Sequence, residues 1–340
     1  MHSMHAPAGR AAVLKGLGAF LPPRAVGNEE LALRLGTTDD WIRTRTGIRQ
    51  RFWADPGTAT SELAVEAGAR ALRSAGLDRV DAVILATSTP DHPIPGTAPA
   101  VAARLGLGVV AAFDVSAVCS GFVYALANGA GLIATGTARR VLVIGAETYS
   151  TILDPTDPST SVIFGDGAGA VVLEAGDPAE PGALLGFDLG SDGRHEDLIS
   201  MAAGGSRQRS ARPGSEPADT WFTMRGRQVF AHAVTRMGES AATLLDRVGW
   251  SAASVDRFVG HQANVRILYA LADGIGIDRD RVAVHLDRVG NTSAASIPLA
   301  LADGCDAKTL RPGDRVLMTA FGGGLTWGST ALVWPDVPAA

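Results

Sequence analysis

Three side chains in this sequence have the types and settings to handle an acyl group: Cys119 in "DVSAVCSGF", His261 in "FVGHQAN" and Asn291 in "VGNTSAASIP". Cys119 is one of two cysteines, with Cys305 the other. The strand-like "VVAAFDV" leads through "SAV" into the helical "CSGFVYALANGAGLI". That order puts the thiol at a helix start, where the positive end of the dipole favours thiolate and lowers the pKa. Small neighbours leave room for an acyl group, although a free cysteine is otherwise a buried, inert filler. His261 follows an apolar strand and stands beside Gln262 and Asn264, amides able to aim an imidazole into a cleft. His195, His232 and His285 read as structural or surface histidines. Asn291 suits a helix cap as well as a donor to a developing negative charge. "FGGGLTWG", after a buried strand, suits a backbone that approaches a ligand and presents N–H groups to an oxyanion. Together these residues are the equipment of acyl transfer through a thioester. A papain-type cysteine hydrolase and a thioester-condensing enzyme share the order Cys, His, Asn; the papain-type cysteine signature is absent.

The elements that must position these residues repeat along the chain. "SELAVEAGARALRSAGL" has helical spacing and runs into the buried strand of "VDAVILATSTPD"; "AHAVTRMGESAATLLDRVGW" and "VDRFVGHQAN" restate that order. The match continues through "ARLGLGVVAAFDVSAVCSGFVYAL" with "RRVLVIGAET", and "ADGIGIDRDRVAVHLDRVGNTSAASIPLAL" with "GDRVLMTAFGGG". Two α/β halves follow, residues 1–180 and 181–340, with the boundary in the turn-rich "EAGDPAEPG". Such a repeat is foreign to the papain fold. Cys119 and Asn291 fall at nearly equivalent strand-to-helix junctions, and packing about a pseudo-dyad would bring these junctions together with His261. "FGDGAGAVVL" has a nucleotide-like glycine pattern but precedes a strand instead of opening a helix, so dinucleotide binding is discounted.

Composition bounds the rest. A chain of 340 residues that is 46% hydrophobic can bury a large core, and a net charge of −5 gives no polyanion signature, so no nucleic-acid partner is expected. Two cysteines and an N-terminus without a sustained apolar run point to a reducing cytoplasm. Val115 to Ala138 carries no charge, but Ser116, Ser120, Asn128 and four glycines make it a buried helix instead of a membrane span.

The motifs "DVSAVCSGFVYAL", "FGDGAGAVVL", "GHQANVRI", "GNTSAASIP" and "AFGGGLTWGS", with "DDWIRTRTGIRQR" near the N-terminus, resemble β-ketoacyl-acyl carrier protein synthase III of the thiolase superfamily over roughly residues 12 to 335. The resemblance implies a thiolase-like five-layered αβαβα fold of two pseudo-repeated halves, and a homodimer. It implies that Cys119 takes an acyl group from acyl-CoA. His261 and Asn291 would then assist decarboxylation of malonyl-acyl carrier protein, and the backbone N–H groups of Cys119 and Gly323 would form the oxyanion hole. Trp41 matches the residue that stacks on adenine, Arg45 and Thr46 lie in the same segment, and Phe230 and Asn264 match the pantetheine tunnel. Arg266 would meet the carrier protein, while Ile94 and Phe321 would bound the acyl pocket. Neither metal nor cofactor is implied, coenzyme A being part of a substrate. The product would start a fatty acid or a polyketide; relatives that only move acyl groups to other acceptors, and subunits that lack the nucleophile, are the alternatives.

Three departures stand out. Pro158 occupies a place where the family often has an arginine opposite the tryptophan, which predicts an altered grip on coenzyme A. Gly260 stands where a proline usually precedes the histidine, which predicts a looser loop. Ile94 replaces an aromatic residue that often reaches across the dimer, so primers other than acetyl are expected. The segment 204–219 is expected to be a mobile surface loop.

Overall fold

Residues 10–211 and 219–338 are described by a computed structural model. Apolar strands form two sheets. The first contains β1 (Ala11–Phe20), β2 (Ala82–Ala86), β3 (Ala111–Val115), β4 (Arg140–Glu147) and β5 (Gly167–Gly176), in the order β1-β5-β4-β2-β3. The second contains β6 (Leu184–Ser191), β7 (Arg257–Gly260), β8 (Arg315–Gly322) and β9 (Thr326–Val333), in the order β6-β9-β8-β7. β2 runs parallel to β3 and β4, and β7 parallel to β8; the remaining pairs are antiparallel. The sheets therefore share one topology, except at the position equivalent to β3. There Val282 makes only an isolated bridge with Phe258. The Gln262 side chain takes up the backbone beyond it, donating to the Ala283 carbonyl and accepting from the N–H groups of His285 and Leu286.

The helices that pack on these sheets or border the site include α1 (Asp39–Thr46), α2 (Thr60–Ser74), α3 (Ala98–Arg104), α4 (Gly121–Ala134), α5 (Gly226–Val248), α6 (Val265–Ile275) and α7 (Ser296–Asp306). Strand alternation decides which of them each sheet face meets. On β4, Leu142 and Ile144 pack outward with α2 and α3, while Val141 and Val143 pack inward with α4 and α7. On β8, Val316, Met318 and Ala320 face that same inner layer, and Leu317 and Phe321 face α5 and α6. The result is the five-layered αβαβα arrangement expected of a thiolase fold. The uncharged stretch containing α4 lies between the sheets. Among the described residues no helix is long and apolar enough to cross a membrane. Of the segment 204–219, residues 212–218 lie outside the described residues; residues 206–209 form one exposed helical turn.

Candidate active site

Cys119 lies on a 3-10 turn, Val118–Ser120, that continues directly into α4. Val118 has φ 47°, a left-handed conformation unusual for a β-branched residue, so the turn presents its cysteine from a strained backbone. Gly322, at the end of β8, lies against this turn. A Cβ there would stand 2.7 Å from the Cys119 nitrogen and 2.9 Å from the Ala117 carbonyl oxygen. The glycine run after β8 is thus needed first for close approach. Gly323, one residue on, packs against the Ile199 backbone.

Asn291 is fixed by the other half of the chain. Its N–H donates to the Ile163 carbonyl at 2.9 Å, and its own carbonyl accepts from the Gly165 N–H at 3.0 Å. The "FGDG" segment therefore serves as a splint for Asn291. Its Oδ1 accepts from the Ser293 N–H at 2.9 Å, which directs Nδ2 away as a donor. Asn291 thus caps a turn and also lines the chamber.

His261 is pinned by its N–H, which donates to the Thr319 carbonyl at 2.8 Å, and Gly260 pairs with Thr319 in the β7–β8 ladder. The loop is not loosened by its glycine: a Cβ at Gly260 would stand 2.7 Å from the Leu268 side chain, so glycine permits tight packing there. The orientation expected from neighbouring amides is also corrected. Gln262 points toward residues 283–286, and Asn264 caps α6 through Arg266 while donating to the Arg45 carbonyl. Ser296 holds the imidazole instead, with Oγ 2.7 Å from Nδ1. Its Oγ also accepts from the Gln262 N–H at 3.3 Å, and a hydroxyl so held can donate to Nδ1, the arrangement that places the imidazole proton on Nε2.

Cys119, His261, Asn291 and Phe321 line one narrow chamber of about 40 Å³. The remaining wall is apolar and includes Phe164, Ile199, Phe222, Met224 and Met237. Tyr149 stacks on Phe164 at 4.6 Å, and Phe222 meets both rings edge-on, which stiffens that side. Dryness sets the protonation states. Burial holds His261 down to about 3, so it is neutral across physiological pH. Burial pushes the Cys119 thiol up to about 12, against the opposing Ser293 hydrogen bond and with the Glu147 charge adding to the rise. The lowered thiol pKa expected from the helix start is corrected to a raised one, with burial as its largest cause. Cys305 is pushed up to about 11 by the same cause and packs against the inner core as a filler.

The chamber opens into a groove of about 700 Å³, and Met224, Val229, Ala263, Ile267 and Asn291 line both. Trp41, Arg45, Thr46, Phe230, Asn264 and Arg266 line this outer part, facing Pro158. The Arg45 guanidinium lies over the Trp41 ring at 4.5 Å. Ile94 is not among the residues lining the chamber; it is 84% exposed. Sequence reasoning passed over Ser293, Ser296, Glu147 and Gly145. Two serines in an otherwise apolar helix start, and one acid ending the buried strand of "RRVLVIGAET", were the available signals.

A thiolase-type fold whose halves bring a thiol, an imidazole and an amide to one dry chamber at the end of a long groove defines an acyltransferase of the condensing class. Comparison with known proteins narrows this. Residues 113–193 match the family described as 3-oxoacyl-[acyl-carrier-protein (ACP)] synthase III, and residues 245–334 match its C-terminal part. The chain is 65% identical to β-ketoacyl-[acyl-carrier-protein] synthase III 5 of Streptomyces coelicolor, over 97% of this chain and 99% of that one. It superposes with TM-score 0.91 on 3-oxoacyl-(acyl carrier protein) synthase III from Pseudomonas aeruginosa, at 51% identity, covering 97% of this chain and 100% of that one. The priming β-ketosynthase of a polyketide biosynthetic pathway gives TM-score 0.91 at 34% identity, covering 99% and 100%. The chain belongs to the β-ketoacyl-acyl carrier protein synthase III family and is a condensing enzyme of that kind.

Proposed function

We propose that this enzyme joins an acyl group from acyl-CoA, carried on Cys119, to malonyl-acyl carrier protein with loss of carbon dioxide, starting a fatty acid or polyketide chain. The observation that carries this reading is the single apolar chamber shared by Cys119, His261 and Asn291 and continuous with the Trp41–Arg45 groove. Coenzyme A lies along that groove, its adenine at Trp41 and its pantetheine past Phe230 and Asn264. Arg266, exposed at the rim, meets the acidic carrier protein. Cys119 attacks the thioester carbonyl, and the N–H groups of Cys119 and Gly323 hold the oxyanion. Malonyl carrier protein then enters. Loss of carbon dioxide leaves an enolate, which neutral His261 stabilises through Nε2–H and Asn291 through Nδ2. A carboxylate at either place would repel that charge. The enolate carbon attacks acyl-Cys119, the cysteine leaves as thiolate, and none of these steps calls for a metal or redox cofactor.

The active form is a homodimer. β3 is the edge of its sheet, and Val109, Phe113 and Ile94 nearby are exposed apolar residues. An open apolar edge favours pairing with a second copy. In that pairing Ile94 caps the acyl pocket of the partner, and an aliphatic cap admits primers beyond acetyl. The reading is tested by incubating the protein with competing acetyl-, isobutyryl- and longer acyl-CoAs. Mass spectrometry then shows which acyl mass appears on Cys119, and added malonyl carrier protein must release 3-ketoacyl product. Acyl transfer without carbon dioxide release would make it an acyltransferase of another kind.

A further inference from the structure

The Asn291 backbone is gripped by residues 162–166, but these are themselves a loop and need support of their own. The strand Gln50–Trp53, paired with Arg24–Gly27, supplies it. The Asp166 N–H donates to the Phe52 carbonyl at 2.7 Å, and Trp53 donates Nε1–H to the Phe164 carbonyl at 3.1 Å. The Arg49 N–H donates at 2.8 Å to the carbonyl of Asp287, shortly before Asn291.

Arg51 is the centre of this arrangement. It has no exposed surface, and its hydrogen bonds go to neutral oxygens: Nη1 donates to the Val26 carbonyl at 3.2 Å and to Asn28 Oδ1 at 2.8 Å, and Nη2 to the Val162 carbonyl at 2.6 Å. Nε has no partner among the described residues. A buried cation bonded to no carboxylate is costly, so a gain in stability is a poor account of its presence. Its stem has a more specific task. A Cβ at Gly290 would stand 2.9 Å from the Arg51 Cβ, and one at Gly165 would stand 3.0 Å from it. Gly290 precedes Asn291, and Gly165 donates to the Asn291 carbonyl, so the residues that grip Asn291 rest on this one side chain. Asn28 extends the support outward, donating Nδ2–H to Asp39 Oδ1 and to the Ile48 carbonyl, each at 2.8 Å, and Asp39 opens the groove helix α1.

We propose that Arg51 is a positioning residue for Asn291: its stem seats Gly290 and Gly165, and its guanidinium ties the 162–166 loop to the base of α1. The inference rests on the role in decarboxylation given to Asn291 above. Arg51 thereby sets the rate of malonyl decarboxylation without touching substrate, and leaves acylation of Cys119 to the other turn.

Arg51→Lys keeps the charge and part of the stem, but one ammonium cannot reach the Val26, Asn28 and Val162 oxygens together. Single-turnover carbon dioxide release from malonyl carrier protein should fall about 30-fold, while acyl mass gain on Cys119 stays within about threefold of the parent. A residue that acts through Asn291 loses its effect once Asn291 is gone, so in an Asn291→Ala background Arg51→Lys should cost less than about threefold further. A residue that merely holds the fold together would slow both half-reactions, and its cost would persist in that background. Either result, or an unchanged carbon dioxide release in R51K, overturns the inference. Should R51K fail to fold, Trp53→Phe decides: loss of its bond to Phe164 should slow carbon dioxide release about fivefold, again only where Asn291 is present. A loss in W53F that ignores Asn291, or no loss, equally overturns the inference. If Asn291→Ala alone leaves carbon dioxide release unchanged, the role given to Asn291 fails instead.

Discussion

The Cys119 turn and the Asn291–Ala295 turn are the same structural device used for different chemistry. Each has a 3-10 turn, Val118–Ser120 or Ser293–Ala295, continuing directly into a helix of the inner layer. Each has one non-glycine residue at φ near 48°, Val118 at 47° and Ser293 at 48°. Each rests on a strand glycine from the opposite half: Gly322 of β8 beneath Cys119, and Gly145 of β4 beneath Ala294, whose carbonyl oxygen would stand 2.4 Å from a Cβ at Gly145. What differs is cargo. The first turn presents a thiol to the chamber; the second presents an amide, and through Ser296 it holds the imidazole. Two similar backbone platforms thus present different side chains, and in the proposed mechanism those side chains divide the half-reactions between them.

That division can be broken from either side. The largest effect is expected from Cys119→Ala, which should abolish acyl mass gain while leaving the thermal transition within a few degrees, read by mass spectrometry and calorimetry. Gly322→Ala should displace the first turn and reduce acylation by about 100-fold or more, since its Cβ would strike the Cys119 nitrogen. Gly145→Ala should instead fall mainly on condensation, and stopped-flow measurement of the two half-reactions separates the cases. Equal losses in both would show that the turns are mechanically one unit. Asn291→Asp should depress malonyl decarboxylation about 100-fold and acylation by less than about tenfold, measured by carbon dioxide release against acyl-enzyme formation.

The smallest effect concerns stability. His261 is held at about 3 in the folded chain, below its unfolded value near 6.5. Between those values the unfolded chain binds a proton that the folded chain refuses, so stability falls as pH drops through that window. Relative to His261→Asn, the parent should lose about 3 kcal/mol between pH 7 and pH 4.5, read from urea midpoints. Glu147 acts in the other direction, because its raised pKa stabilises the fold at low pH and that contribution fades as pH rises through about 7. A parent without the acid-side loss would mean that His261 is not enclosed as described.

Much of this was legible in the sequence. The alternation of helical and strand periods marks the layers, because burial on both faces demands continuous apolar strands such as "AVILA" and "VLVIG". The motifs mark the family and the three chamber residues. Some expectations failed where they depended on distance through space. A helix start suggests a low thiol pKa, yet burial raises it. Adjacent amides suggest how His261 is aimed, yet a serine 35 residues away does the aiming. Where the second sheet would carry a fifth strand, the Gln262 side chain bonds the backbone of residues 283–286 instead.

By itself the sequence determined which residue types could react and the order of the elements that carry them, since periodicity and turn chemistry are local. Tertiary structure alone decided that Gly322 meets the Cys119 nitrogen, that "FGDG" splints Asn291, and that Ser293 bonds the buried Glu147 carboxylate. Those contacts join residues from opposite halves of the chain. Proton affinity in the chamber depends on the water they exclude, and no local pattern encodes that.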